Sequence, residues 1–489
     1  MRRLLSCTAA AVLLLGATLF NLPASVAAQR ESRSNQRPRA LGSRRAVGWD
    51  SVPAILARIR PPKFPARDFP ITNFGARAGG DFDNTEAMRK AIEACNRAGG
   101  GRVVVPAGVF LTGAIHLKSN VNLHVSEGAT LKFSTDPSKY LPAVFTRWEG
   151  TELMNYSPFI YAFEQQNIAV TGKGTLDGNA SDDNWWKWAR RGTGGAGSPA
   201  RPDAQRLREM GNTGVPVSQR VFGQGHYLRP PFIQPYRSRN ILIEGVTIIN
   251  SPFWEIHPVL SQNITVRGVN IKTHGPNNDG CDPESSKDVL IEDCVFDTGD
   301  DCIAIKSGRD DDGRRVGVAS ENIIIRNNIM KEGHGGVVIG SEISGDVRNV
   351  FVEDCKMDSP NLDRALRFKS NAIRGGVMEN VFMRNVEVGR VAEAVLTIDL
   401  LYDTGDKGPH KPVVRNVLLE NVTSLSSPRV MWVVGFPGVT IDDIRFRNCT
   451  FRGVETAEVL NHAGSFSFEN VTIEPAKKGR SLNSPTITQ

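Results

Sequence analysis

One short phrase recurs along the chain: a turn-forming Asn or Asp, a run of alternating apolar and polar positions, then a second short apolar run. It stands at Asn167 (NIAVTGKGTLDG), Asn240 (NILIEGVTII), Asn263 (NITVRGVNI), Asp288 (DVLIEDCVF) and Asn322 (NIIIRNNIM), and again at Asn349 (NVFVEDCKM), Asn380 (NVFMRNVEV), Asn416 (NVLLENVTS) and Asp443 (DIRFRNCTF). Alternation with period two makes each phrase a strand with one face in and one out. From Asn240 onward the spacing is roughly 23 to 36 residues, the range of solenoid repeats. No phrase is followed by a helical pattern long enough for a crossover, which excludes a doubly wound sheet or a TIM barrel. Leucine-rich signatures and the longer hairpins of propeller blades are absent too. The pattern predicts an all-β chain, a right-handed parallel β-helix. The open end of such a solenoid needs a cap. Asp83-Asn84-Thr85, followed by Ala87, Met88, Ala91, Ile92 and Cys95, predicts an amphipathic capping helix that Gly99–Gly101 ends.

The two ends break this rhythm. Arg2 and Arg3 precede an apolar run from about Leu4 to Leu22, and Val26-Ala27-Ala28 offers small residues for cleavage, so residues 1–28 read as a signal peptide. That predicts export, to a periplasmic or extracellular location, and no membrane span. Residues 29–67, rich in Arg, Ser and Pro, read as a basic tether with one short helix near Ser51–Ile59. The β-helix is expected over 68–476, with 477–489 as a tail.

Charge changes the picture only at the start. Residues 1–67 hold 12 Lys/Arg against Glu31 and Asp50, so of the net +7 the arm carries +10 and the remainder −3. The body is therefore no nucleic-acid binder. Of the 7 cysteines, the six beyond Cys7 are scattered, in no metal-ligand spacing, and their pairing cannot be deduced. The sequons at Asn263, Asn421 and Asn470 fall on the repeated phrase and read as turn asparagines rather than glycosylation sites.

Between Asn277 and Lys369 polar residues gather at odds with a plain solenoid. Asp279, Asp300, Asp301, His334 and Arg367 each follow their coil's strands by about 12 to 18 residues. Neighbouring coils stack about 4.8 Å apart, so these residues can form one column along a sugar-chain cleft. Glycoside hydrolysis takes one carboxylic acid for the leaving oxygen and one carboxylate for water or the anomeric carbon. Three clustered carboxylates cannot all ionise cheaply, and His334 is placed to tune or relay the shared proton. Arg367 and Lys369, two apart on a strand, offer a fork and a point charge to an acidic sugar. Asp300 and Asp301 are adjacent, and strand alternation would turn them to opposite faces, so the chain must bend there, with Gly299 to permit it. Trp254 and His257 are candidates for a sugar platform. Alternatives remain open on the residues alone: an acidic turn or calcium site at Asp300–Asp301, and solvated strand cations at Arg367 and Lys369.

Four motifs in order, Asn277-x-Asp279, Gly299-Asp300-Asp301, Gly333-His334-Gly335 and Arg367-x-Lys369, resemble those of the polygalacturonase-type glycoside hydrolases of family 28, from about Phe69 to Pro475. The resemblance implies inverting hydrolysis of α-1,4-galacturonosyl linkages in pectin or polygalacturonate. It makes Asp300 the general acid, gives Asp279 and Asp301 the water, and lets His334 support the acid's protonation. Arg367 and Lys369 would hold the galacturonate carboxylate, with Asn277 and Tyr402 as further substrate contacts. No cofactor and no metal are expected, the partner is an acidic poly- or oligosaccharide, and a monomer is expected. The strings Asn277–Ser286 and Gly308–Arg315 are similar to the exo-acting branch. The insertion 179–235, with Trp185, Trp186, Trp188, Arg190 and Arg191, is expected to wall off the cleft. Ranked behind this stand another pectin or rhamnogalacturonan hydrolase or an endo mode, then a calcium-dependent pectate lyase, then a non-catalytic sugar-binding solenoid.

Overall fold

A computed structural model describes residues 47–190 and 197–476. The expected signal peptide, the tether before Val47, Arg191 and the tail 477–489 lie outside the described residues. The chain folds as a right-handed parallel β-helix. One 13-stranded sheet runs from Asp68–Pro70 to Phe466–Glu469, and a 12-stranded sheet from Gly108–Thr112 to Thr472–Pro475. A third face comes in two parts: Ile115–His116, Ile160–Phe163 and Ile233–Tyr236, then six strands from Ile303–Ile305 to Val459–Asn461. Single bridges through Ile256 and Cys281 join the two parts. In that gap the backbone is freed from regular pairing, and it is there that Asp279 sits.

The alternation read from sequence sets the core. Ile243, Val266, Ile291, Ile325, Val352, Met383, Leu419 and Phe446 pair in one unbroken register row and are all buried. All nine phrase-leading residues take φ between 53° and 59°, left-handed backbone that Asn and Asp tolerate best among side-chain-bearing residues. Their amides stack: Asn240 donates to Asn167 (2.8 Å), Asn263 to Asn240 (2.7 Å), Asn349 to Asn322 (3.0 Å) and Asn380 to Asn349 (2.9 Å). Asn421 and Asn470 stand in a similar amide row.

Among the described residues, four α-helices decorate the solenoid. Helix α1 (Val52–Arg58) comes from the presumed tether, and α2 (Thr85–Arg97) buries the five apolar residues expected of the cap, its first amide held by the Asp83 carboxylate. Helices α3 (Ala200–Asn212), in the insertion, and α4 (Asp310–Val316) were not foreseen.

Residues 47–59 are not a free tether. Trp49, Val52, Ile55 and Ile59 pack on an outward row of the 13-stranded sheet, Leu290, Ile324, Phe351, Phe382 and Leu418. Arg384 caps the Trp49 ring at 3.9 Å, and Arg58 pairs with Asp288 at 2.7 Å. The tether reading followed the composition of residues 29–67; the apolar row that α1 covers belongs to strands hundreds of residues away. Ile55→Asp is expected to undock this strap, since a buried Ile contributes about 1.5–3 kcal/mol. The check is trypsin cleavage after Arg58, faster in the variant while the β-helix stays resistant.

Candidate active site

The third face supplies the site. Arg367 and Lys369 lie two apart on the strand Arg364–Lys369 and share its outer side. Asp279 and Asp301 each stand two residues before a bridged pair, Cys281 and Ile303, so they occupy one row on adjacent coils. The strand ending at Thr298 stops before Asp300, and pairing resumes at Ile303, which lets both Asp300 and Asp301 face the cleft. The bend is real, but Gly299 serves it by lacking bulk: a Cβ there would stand 2.6 Å from the Gly275 carbonyl oxygen, and its φ is not left-handed. Gly333 is needed on both counts, with φ 150° and a Cβ that would meet the Asp300 carbonyl oxygen at 2.4 Å.

Asp279, Asp300 and Asp301 present carboxylate oxygens within 4.8 Å of one another. Each meets a different cation. Lys306 Nζ is 3.4 Å from Asp279, His334 Nδ1 is 3.0 Å from Asp300, and Lys369 Nζ is 2.6 Å from Asp301, with Arg367 Nη1 at 3.8 Å. Three clustered carboxylates are also a donor set for a divalent ion, but here ammonium groups already stand against two of them. A cavity of about 410 Å³ reaches Asn277, Asp279, Asp300, Asp301, Lys369 and Tyr402. Arg367 flanks it, its guanidinium 5.7 Å from the Tyr402 ring. A larger groove of about 690 Å³ lies elsewhere, along Gln166, Arg239 and Lys287, where Arg239 meets Gln166, and Arg348 and Arg237 are paired with Glu321 and Glu164; its lining includes none of the three clustered carboxylates.

The carboxyls do not titrate alike. Burial, and then the charge of Asp300, hold Asp279 well above the usual carboxylate range. Burial pushes Asp300 up as well, but the His334 hydrogen bond and charge outweigh it and keep Asp300 below its ordinary value. His334 in turn is raised to about 9, chiefly by that hydrogen bond. In the free protein a shared proton is therefore favoured on Asp279 over Asp300, and the ion pair falls to Asp300–His334. Asp300→Asn should lower His334 from about 9 toward its ordinary value, because the carboxylate charge beside it is lost while burial remains. Titration of the imidazole nitrogens by NMR in both proteins checks this.

Of the two platform candidates, for which core packing or a turn is the equal alternative, the structure buries His257 and sets Trp254 in the cavity wall. His257 is wholly buried, bonded to Glu284 at 2.8 Å and Gln234 at 3.0 Å, so it stands behind the cleft and meets no sugar. Trp254 borders the cavity but is only 3% exposed, stacked on Phe253 and edge-on to His257, which leaves no open platform. Both follow the run Asn250–His257 into the gap of the third face, where side-chain direction cannot be counted from alternation. Trp185 and Trp188 likewise anchor the insertion in the core rather than line the cleft.

Other groups were missed. Arg229, buried, donates to the Asn277 side chain at 2.7 Å and fixes it at the cavity edge. Four segments interlock at the cavity wall: Glu149 from a hairpin turn, Arg208 from α3, Arg309 ahead of α4, and Asp403. Arg309 meets Glu149 at 3.2 Å and Asp403 at 3.4 Å, and Arg208 meets Glu149 at 2.8 Å. Lys306 was legible in principle. It is a lysine at outward parity after Ile303-Ala304-Ile305, on a coil that already carries Asp300 and Asp301.

Residues 223–468 match the model of Glycosyl hydrolases family 28. Among solved structures, a hyperthermoactive exopolygalacturonase from Thermotoga maritima is 47% identical, with a TM-score of 0.84 over 87% of this chain and 96% of that one. An exo-poly-alpha-D-galacturonosidase from Dickeya chrysanthemi is 28% identical over 84% of this chain and 71% of its own. An endo-polygalacturonase from Pectobacterium parmentieri is 31% identical over 70% of this chain and 77% of its own.

Proposed function

The chain belongs to glycosyl hydrolases family 28, and from that premise we propose that it cleaves α-1,4-galacturonosyl linkages of polygalacturonate one residue at a time from a chain end, with inversion. The observation that supports the exo mode is the interlocked wall of Glu149, Arg208, Arg309 and Asp403 in the same cavity as the three carboxylates, which we read as a block to one end of the cleft. An open cleft would let a polymer run through; a blind one admits an end.

Asp300 donates the proton to the leaving oxygen, and Asp279 and Asp301 hold and deprotonate the water. Lys369, Arg367 and Tyr402 receive the sugar carboxylate. Since His334 keeps Asp300 ionised in the free protein, substrate entry must supply the acid form. The galacturonate charge and the expulsion of water both disfavour a second anion beside it and push Asp300 up, while Asp279 releases its proton. We further read the chain as exported and working as a monomer, on the pattern of residues 1–28 and the self-contained cavity.

The test is product analysis on polygalacturonate from the first minutes. Monogalacturonate alone, without ultraviolet-absorbing unsaturation and of inverted configuration by NMR, is expected. Mixed early oligomers would overturn the exo mode, and unsaturated products would overturn hydrolysis.

A further inference from the structure

One charged group deep in the cavity has no part in the roles above. Lys306 leaves the third sheet directly after Ile303–Ile305 and is 2% exposed. The row Ile305–Ile339–Phe368 puts it in register, two coils away, with Lys369. Its Nζ lies 3.4 Å from Asp279, 3.5 Å from Glu342 and 4.0 Å from Asp282, and 4.3 Å over the Trp254 ring. A buried ammonium persists only among counter-charges, and four groups on three segments fix this one in place.

We propose that Lys306 is a positioning residue for the hydrolysis, holding the Asp279 carboxylate at the water side of the cleft and keeping it able to ionise inside a buried acidic cluster. This rests on the assignment of Asp279 to the water. The cluster makes the cation necessary. Asp279 faces Asp300, Asp301, Lys369 and Arg229, and behind it stand Glu255 and Asp282, both wholly buried and with no hydrogen-bond partner for either carboxyl among the described residues. Of the charges that act on Asp279, Lys306 opposes its protonation most. Against burial, Asp282, Asp279 and Glu342 hold Lys306 itself cationic well beyond the working range. Lys369 stands to Asp301 as Lys306 stands to Asp279, so each carboxylate of the site owns one cation.

The experiment compares Lys306→Met, Lys306→Arg and Asp279→Asn on a galacturonate oligomer, with kcat and KM followed across pH. Lys306→Met is expected to lower kcat by about 10²-fold or more, the range of a lost acid–base function. Its acidic limb should move to higher pH by about one to three units, as for a carboxyl that loses an opposite charge. KM should stay of the same order, and Lys306→Arg should bring the limb back toward the wild-type position. The double variant Lys306→Met/Asp282→Asn removes a buried charge of each sign, and it should show the same displaced limb if the single variant folds poorly. An unmoved limb in a folded variant would overturn the proposal. So would a loss confined to KM, which would make Lys306 a sugar ligand. Full activity in Asp279→Asn would instead remove the assignment on which the proposal rests.

Discussion

Asp300→Asn is expected to lower kcat on polygalacturonate by about 10²–10⁴-fold or more, with KM of the same order and the fold intact. The amide keeps the shape of the carboxyl and can still meet His334, but it can neither give up nor regain a proton in the working range. A fall in kcat with KM unchanged is the signature of an interaction made only in the transition state. Loss of KM alone would make Asp300 a binding group and move the general acid to Asp279, where the free protein already keeps a proton. Steady-state kinetics across pH distinguish the two, because the acid limb and the basic limb report different groups.

The second large effect concerns the frame behind the site. Glu342 is buried and meets Arg309 at 3.2 Å, Lys306 at 3.5 Å and Arg374 at 3.5 Å. Glu342→Gln leaves three buried cations short of one counter-charge, and removing one partner of a buried pair costs about 3–5 kcal/mol. Urea denaturation should show that difference between wild type and variant near neutral pH. Burial alone would raise the Glu342 carboxyl, but Lys306, Arg374 and Arg309 outweigh it and hold it far below its ordinary value. Because the folded value is depressed, the stabilisation is fully present above the unfolded carboxylate value of about 4.3. It is lost as pH falls toward the folded value, so the gap between the two proteins should stay level at neutral pH and narrow only below about 4.

The fold was legible because its repeat is written in the chain. Asn or Asp at each phrase start and alternation behind it specify left-handed corner and inward face together, coil after coil. The four acid and base residues and the two cations were legible for a related reason: each recurs at a similar distance from its coil's strands. His257 could not be placed where the third face loses regular pairing, since period-two counting fails once the strand does. Glu149, Arg208 and Asp403 could not be read at all. Each sits on an excursion whose path is set by contacts with other excursions, not by its own periodicity. Helix α1 was half legible: its short apolar pattern showed a helix, but nothing near it in sequence showed the row it covers.

The amide ladder has a consequence for how this molecule can change. Successive ladder positions are separated by 23, 34, 27, 31 and 36 residues in different coils, yet the side chains meet at nearly constant distance. Coil length is therefore decoupled from coil pitch. Excursions between strands can lengthen, shorten or be exchanged while the spine that aligns Asp279, Asp301 and Lys369 keeps its spacing. A descendant of this chain could reshape the cavity by altering the four segments that carry Glu149, Arg208, Arg309 and Asp403, without relearning how to fold.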